Sequence, residues 1–151
     1  MNVGQICQRH AITIRPTDEL RTAAKLMREH HIGFLVVTPP AGSEGAEPLG
    51  VLTDRDIVVS TLALDVDPRS VRVGDVMTCN PAVALAEDSV ADALIQMRHR
   101  GVRRLPVVGD YGKLMGVVSL DDILRQRADE IGSAAAVITK GREREGRVRG
   151  D

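Results

Sequence analysis

Between Leu20 and Met27, apolar side chains recur at three- and four-residue intervals (Leu20, Ala23, Ala24, Met27). That spacing predicts a helix with one buried face. Thr17 or Asp18 is placed to cap it, with Asp18 and Glu19 in its first turn, and Gly33 to stop it. Weak alternation over Ala11–Ile14 predicts a short strand ahead of the helix. The continuous apolar runs Phe34–Val37 and Leu49–Leu52 predict two buried strands, separated by an exposed loop at Pro39–Pro48. Thr53 or Asp54 then caps a short helix carrying Ile57, Val58 and Leu62. The same order follows again: a strand at Ala82–Leu85, then an Asp88 cap and an apolar face of Val90, Ala93, Leu94 and Met97 stopped by Gly101. A strand at Leu105–Val108, a turn at Gly109-Asp110-Tyr111-Gly112, a strand at Leu114–Val118 and a helix opened by Ser119 and Asp121-Asp122 complete it.

The two halves are an internal repeat. Moved along by 70 positions, Val3–Thr38 lies on Val73–Val108 without a gap. Val3-Gly4, Asp18, Ala23, Met27-Arg28, Leu35 and Val37 meet Val73-Gly74, Asp88, Ala93, Met97-Arg98, Leu105 and Val107. After the loop the match resumes, Gly50–Ile57 on Gly116–Ile123. Two copies are too few for an open solenoid. They should pair face to face, with a cleft along the pseudo-twofold axis. The expected fold is mixed α/β (α+β), two β-α-β-β-α repeats packed as one module. Residues 1–64 form repeat 1, 65–72 a linker with Pro68, 73–131 repeat 2, and 132–151 a tail. That tail is expected to be disordered, and its end, Lys140–Asp151, has almost no apolar residues.

A chain of 151 residues can bury a core that one repeat alone would build only marginally. A net charge of −1 removes any global attraction to nucleic acid or anionic lipid. Phe34 and Tyr111 are the only aromatic residues, so the stacking platforms of base-reading proteins are missing. No apolar stretch is long enough to span a membrane, and Met1–His10 does not read as a signal peptide. Cys7 and Cys79 make no disulfide framework, which points to a reducing cytoplasm. Cys7, His10, His30 and His31 could be imagined as a metal site, but no second ligand pair supports them. We expect no metal. No GxSxG elbow and no nucleophile with a base partner is visible, so catalysis is not expected.

The most specific motif is Gly50-Val51-Leu52-Thr53-Asp54-Arg55-Asp56, echoed by Gly116-Val117-Val118-Ser119-Leu120-Asp121-Asp122. The hydroxyl stands where strand becomes helix, where free backbone N–H groups favour phosphate. The aspartate three residues on shares its face, and an ionised carboxylate can accept both hydroxyls of a ribose. Thr53 and Ser119 are equally well read as N-caps and the aspartates as N-terminal charges. Both readings stand at this level.

Together with the run Gly101–Val108, which contains Arg103-Arg104-Leu105-Pro106, these motifs resemble a tandem pair of cystathionine-β-synthase (CBS) domains, over about Val3 to Ile131. The resemblance implies two units packed by their sheets, with clefts that bind adenosine-containing ligands (AMP, ADP, ATP or S-adenosylmethionine) and modules that dimerise into a disc of four repeats. Carried over, Asp56 and Asp122 would hold ribose, with Thr53 and Ser119 near ribose and phosphate. Arg55, Arg103 and Arg104 would be available to phosphate, the latter two being equally a solvated basic helix end. Backbone at Thr13, Ile14, Val83 and Ala84 would face the adenine edge. Val36 replaces Pro106, and Gly33-Phe34 replaces Arg103-Arg104, so the two clefts should differ in charge. The expected protein is a stand-alone, non-catalytic sensor of an adenine nucleotide that signals to an unknown protein partner. A ligand-free dimerisation scaffold is the alternative, and nucleic-acid binding is disfavoured.

Overall fold

The computed structural model describes residues 1–39 and 46–150. Six residues of the loop expected at Pro39–Pro48 lie outside the described residues. The first half contains helix α1 (Val3–Ile6), strand β1 (Thr13–Ile14), helix α2 (Leu20–His30), strands β2 (Phe34–Val37) and β3 (Gly50–Thr53), and helix α3 (Asp54–Ser60). The second repeats it as α4 (Val73–Val76), β4 (Thr78–Cys79), β5 (Ala84–Leu85), α5 (Val90–Arg100), β6 (Arg104–Val108), β7 (Leu114–Ser119) and α6 (Leu120–Arg149). In each half a parallel pair (β1–β2, β5–β6) is extended by an antiparallel neighbour (β3, β7).

The two cores are duplicates. One holds Ile14, Leu20, Ala23, Met27, Leu35, Val37, Leu52 and Val73. The other holds Ala84, Val90, Ala93, Met97, Leu105, Val107, Val118 and Val3, with Cys7 and Ile123. The last equivalent pair shows what the repeat boundaries hide. Val73 is buried in the first core and Val3 in the second, so each lead-in packs into the opposite repeat. The Val3 and Gly4 N–H groups donate to Asp88 O (2.9 Å) and Ala86 O (2.8 Å), and those of Val73 and Gly74 to Asp18 O (2.9 Å) and Pro16 O (2.8 Å). Beyond each lead-in the chain adds to the opposite sheet: β4 pairs with β3 through Cys79 and Thr78, and Gln8 exchanges two backbone hydrogen bonds with Val117 (2.9 and 3.0 Å).

This exchange explains the motif glycines. A Cβ on Gly50 would lie 2.8 Å from the Thr78 carbonyl oxygen, and one on Gly116 would collide with that of Gln8. Glycine is there to let the crossing strand approach.

Several boundaries differ from expectation. Helix α2 begins one residue after Glu19, whose side chain makes no cap, because Asp18 accepts from the Arg15 N–H (3.0 Å) and closes a turn instead. Asp88 likewise accepts from Leu85 N–H, leaving Ser89 to cap α5. Helix α2 ends at His31, with φ 53°, two residues before Gly33. The linker contains a 3-10 turn at Pro68–Ser70. The tail expected to be disordered is helical instead: α6 runs unbroken from Leu120 to Arg149. A capping box at Ser119 nucleates it, and Ala134-Ala135-Ala136 with the Arg127–Glu130 pair (2.8 Å) favours its continuation. No helix among the described residues is long and apolar enough to cross a membrane.

Gly116→Ala should destabilise the module by about 1–3 kcal/mol in urea unfolding, because a methyl there overpacks against backbone. Gly146→Ala, where a Cβ meets open space, should instead raise helix content and cause no loss.

Candidate functional site

Alternation along β2, β3 and β6 turns Leu35, Val37, Leu52, Leu105 and Val107 toward the helices. Phe34, Val51, Arg104 and Pro106 are left on the opposite faces, and these four line one cleft of about 540 Å³ between the repeats. Its rim is built from three chain turns. The β3–α3 junction contributes Thr53, Asp54, Arg55 and Asp56, the β4–β5 connection Asn80-Pro81-Ala82, and the end of α5 Arg100 through Arg104. Arg55, Arg100, Arg103 and Arg104 line it together with Asp54 and Asp56, so cations outnumber carboxylates around an apolar floor.

At the β3–α3 junction Thr53 and Asp56 form a reciprocal cap. Asp56 N–H donates to Thr53 Oγ1 (3.1 Å) and Thr53 N–H to Asp56 Oδ2 (2.9 Å). The geometry locks the carboxylate at the helix start, and Oδ1 accepts no hydrogen bond from the described residues. Capping is therefore real at both motifs, since Ser119 and Asp122 repeat it (3.1 and 2.9 Å). Ser89 and Asp92 do so as well, at a helix start that does not line this cleft. A Ser/Thr-x-x-Asp cap alone does not mark a site; position at the cleft does.

The structure gathers Thr53, Arg55, Asp56, Arg103 and Arg104 around one cavity, so the basic pair of the second repeat shares a cavity with the motif of the first. Ser119 and Asp122 lie outside it. There Gln8, carried in on the crossing lead-in, donates from Nε2 to Asp122 Oδ1 (3.0 Å), while Oδ2 takes the Ser119 N–H and Oγ (2.9 and 2.6 Å). Both oxygens of that carboxylate are engaged. Burial works against its ionisation, but the bonds from Ser119 and Gln8 and the nearby Arg125 outweigh it, and its pKa is held below the usual carboxylate value.

The backbone expected at the adenine edge does not line this cavity. Ile14 and Ala84 are buried in the repeat cores, paired with Val37 and Val107, and neither they nor Thr13 and Val83 line the cavity. The wall comes from Asn80-Pro81-Ala82 upstream, where Asn80 takes a left-handed φ of 47°. The Asn-Pro pair was a readable turn signal. Arg100 gave none, because a basic helix end is ordinary. Cys7 is packed in the second core, its thiol pushed up by burial. Among the described residues no three His, Cys, Asp or Glu side chains gather as a metal-ligand set.

The CBS domain model matches residues 3–61 and 73–129, and the chain belongs to that family as a tandem pair. An uncharacterized protein of Methanopyrus kandleri, MK0525, is 38% identical over 126 residues, covering 83% of this chain and 62% of its own length. Hypoxic response protein 1 of Mycobacterium tuberculosis is 34% identical over 125 residues, covering 83% of this chain and 80% of its own. The solved structure of Hypoxic Response Protein I, which holds two coordinated zinc ions, superposes with a TM-score of 0.71 at 30% identity, over 83% of this chain and 98% of that one. The CBS domain pair of MJ0100, in complex with 5-methylthioadenosine and S-adenosyl-L-methionine, superposes with a TM-score of 0.72 at 26% identity, over the same shares.

Because the folded Asp122 carboxyl has a lowered pKa, its contribution to stability is present above the unfolded value of about 3.9 and is lost as pH falls through the folded value. Wild type should therefore lose more stability than Asp122→Asn on acidification below that unfolded value, measured by urea unfolding. Gln8→Ala should move the Asp122 titration midpoint upward, read by carboxyl-carbon NMR.

Proposed function

We propose that this protein is a regulatory module that binds one adenosine-containing nucleotide in the cleft shared by Thr53, Asp56 and the end of α5. The observation that carries the reading is a cap-locked carboxylate and four arginines lining one cleft with an apolar floor. The open oxygen of Asp56 suits a ribose diol. Arg55, Arg103 and Arg104 suit phosphate, bidentately where the guanidinium is well placed. Phe34, Val51 and Pro106 offer the apolar surface that an adenine ring needs. The bound adenosine derivatives of the MJ0100 pair support this ligand class.

AMP, ADP and ATP fit the arginine count better than S-adenosylmethionine, whose sulfonium is cationic. Signalling follows from the cleft's position between the repeats. A ligand that holds one packing of the two halves more tightly than another shifts their population, and a protein partner reads that packing. A ligand with equal affinity for both would switch nothing. Pairing of two modules into a disc of four repeats would carry the change to a second copy. The Ser119 side has its carboxylate occupied by Gln8, which favours a structural role there.

In a thermal-unfolding screen, ATP, ADP or AMP at a hundred times its Kd should stabilise the wild type by about 2.7 kcal/mol, a shift of several degrees. Asp56→Ala should abolish the shift and Asp122→Ala should keep it. Arg103→Ala should weaken ATP by more than it weakens adenosine. Equal shifts in wild type and Asp56→Ala would refute the ribose assignment, and no shift with any adenine compound would favour the ligand-free scaffold.

A further inference from the structure

Beyond Gln126 every described residue of α6 is exposed, so residues 127–149 project about 35 Å as a single helix. Such a helix is marginal in water by itself, and Gly132, Gly141 and Gly146 weaken it further. It nonetheless carries an ordered stripe. Leu124, Ala128, Ile131, Ala135 and Ile138 follow one another at intervals of four, three, four and three residues, the seam spacing of a coiled coil. Leu124, Ile131 and Ile138 are 58%, 71% and 61% exposed. The positions flanking the seam are small beyond the first turns (Gly132, Ala134, Thr139, Gly141), which permits close approach of a second helix.

We infer that this stripe is an interface with a second copy of α6, running antiparallel and centred near Ser133. Two observations choose the occupant and its direction. In that register each isoleucine meets an alanine: Ile138 opposite Ala128, and Ile131 opposite Ala135, each twice by symmetry. A parallel pair stacks isoleucine on isoleucine and alanine on alanine, leaving alternate layers crowded and hollow. Charge gives the same answer. Residues 120–130 hold four acidic and two basic side chains, while residues 139–149 hold five basic and two acidic. Antiparallel helices lay the acidic half against the basic half, and parallel ones lay like on like. Opposed helix dipoles add to the preference. The contact is separate from the nucleotide cleft and does not rest on that reading.

The test is electron–electron distance measurement on the full chain with a nitroxide at Glu145→Cys, in a Cys79→Ser background that leaves only buried Cys7. The antiparallel pair predicts an inter-chain distance of about 35 Å at the backbone, lost in Ile131→Glu/Ile138→Glu and equally in Ala128→Arg/Ala135→Arg. Both variants should keep the thermal transition of the module, since the substituted residues touch neither repeat core. A distance of about 15 Å would establish a parallel pair and overturn the inference. So would the absence of an inter-chain distance with helix content retained, which would assign the stripe to another partner, or a distance indifferent to both variants.

Discussion

Each repeat is closed by a piece of the other. Val3 and Val73 are the anchors, fully buried in the core of the opposite half, and the glycine after each lets backbone reach backbone at Ala86 and Pro16. Everything that follows in space depends on these crossings. They bring β4 onto β3 and Gln8 onto β7, so they fix the two sheets relative to one another and set the width of the cleft. They demand the glycines of both motifs. The crossing also delivers the side chains that distinguish the two motifs, because Asn80-Pro81 leaves β4 along the cleft beside Asp56 and the Gln8 amide arrives at Asp122.

The asymmetry of the site is thus a difference in what two equivalent crossings bring. Thr78, the counterpart of Gln8, has no amide to offer, and Asp56 keeps an open oxygen. Gly33 and Phe34, which match Arg103 and Arg104 in the repeat, line the same cavity as Asp56. The open oxygen and the basic pair therefore meet in one cleft, and the engaged carboxylate of Asp122 lies outside it.

The helices and strands of the fold were legible because burial repeats twice at the same positions. Leu20, Ala23 and Met27 predict what Val90, Ala93 and Met97 then repeat, because the buried positions stay apolar although most other positions differ. The crossing was not legible. A repeat aligned to itself says which residues correspond, and it is silent on which copy each one packs against. Nothing in Val3 or Val73 distinguishes a local partner from a distant one. Site residues followed the same divide. Thr53 and Asp56 could be found from a local spacing, whereas their grouping with Arg103 and Arg104 needed the relation between halves. The helical tail was illegible for another reason: Lys140–Asp151 is almost free of apolar residues, and its helicity continues that of the residues before it.

The exchanged lead-ins also impose an order of events during synthesis. The first core lacks Val73, and its sheet lacks the edge strand at Thr78–Cys79, until about half of the chain has been made. The second core has its first component, Val3, waiting at the N-terminus from the start. Neither half can therefore finish folding on the ribosome by itself. The chain matures as one cooperative unit, and a break between residues 65 and 72 would leave two fragments that each hold the other's missing part.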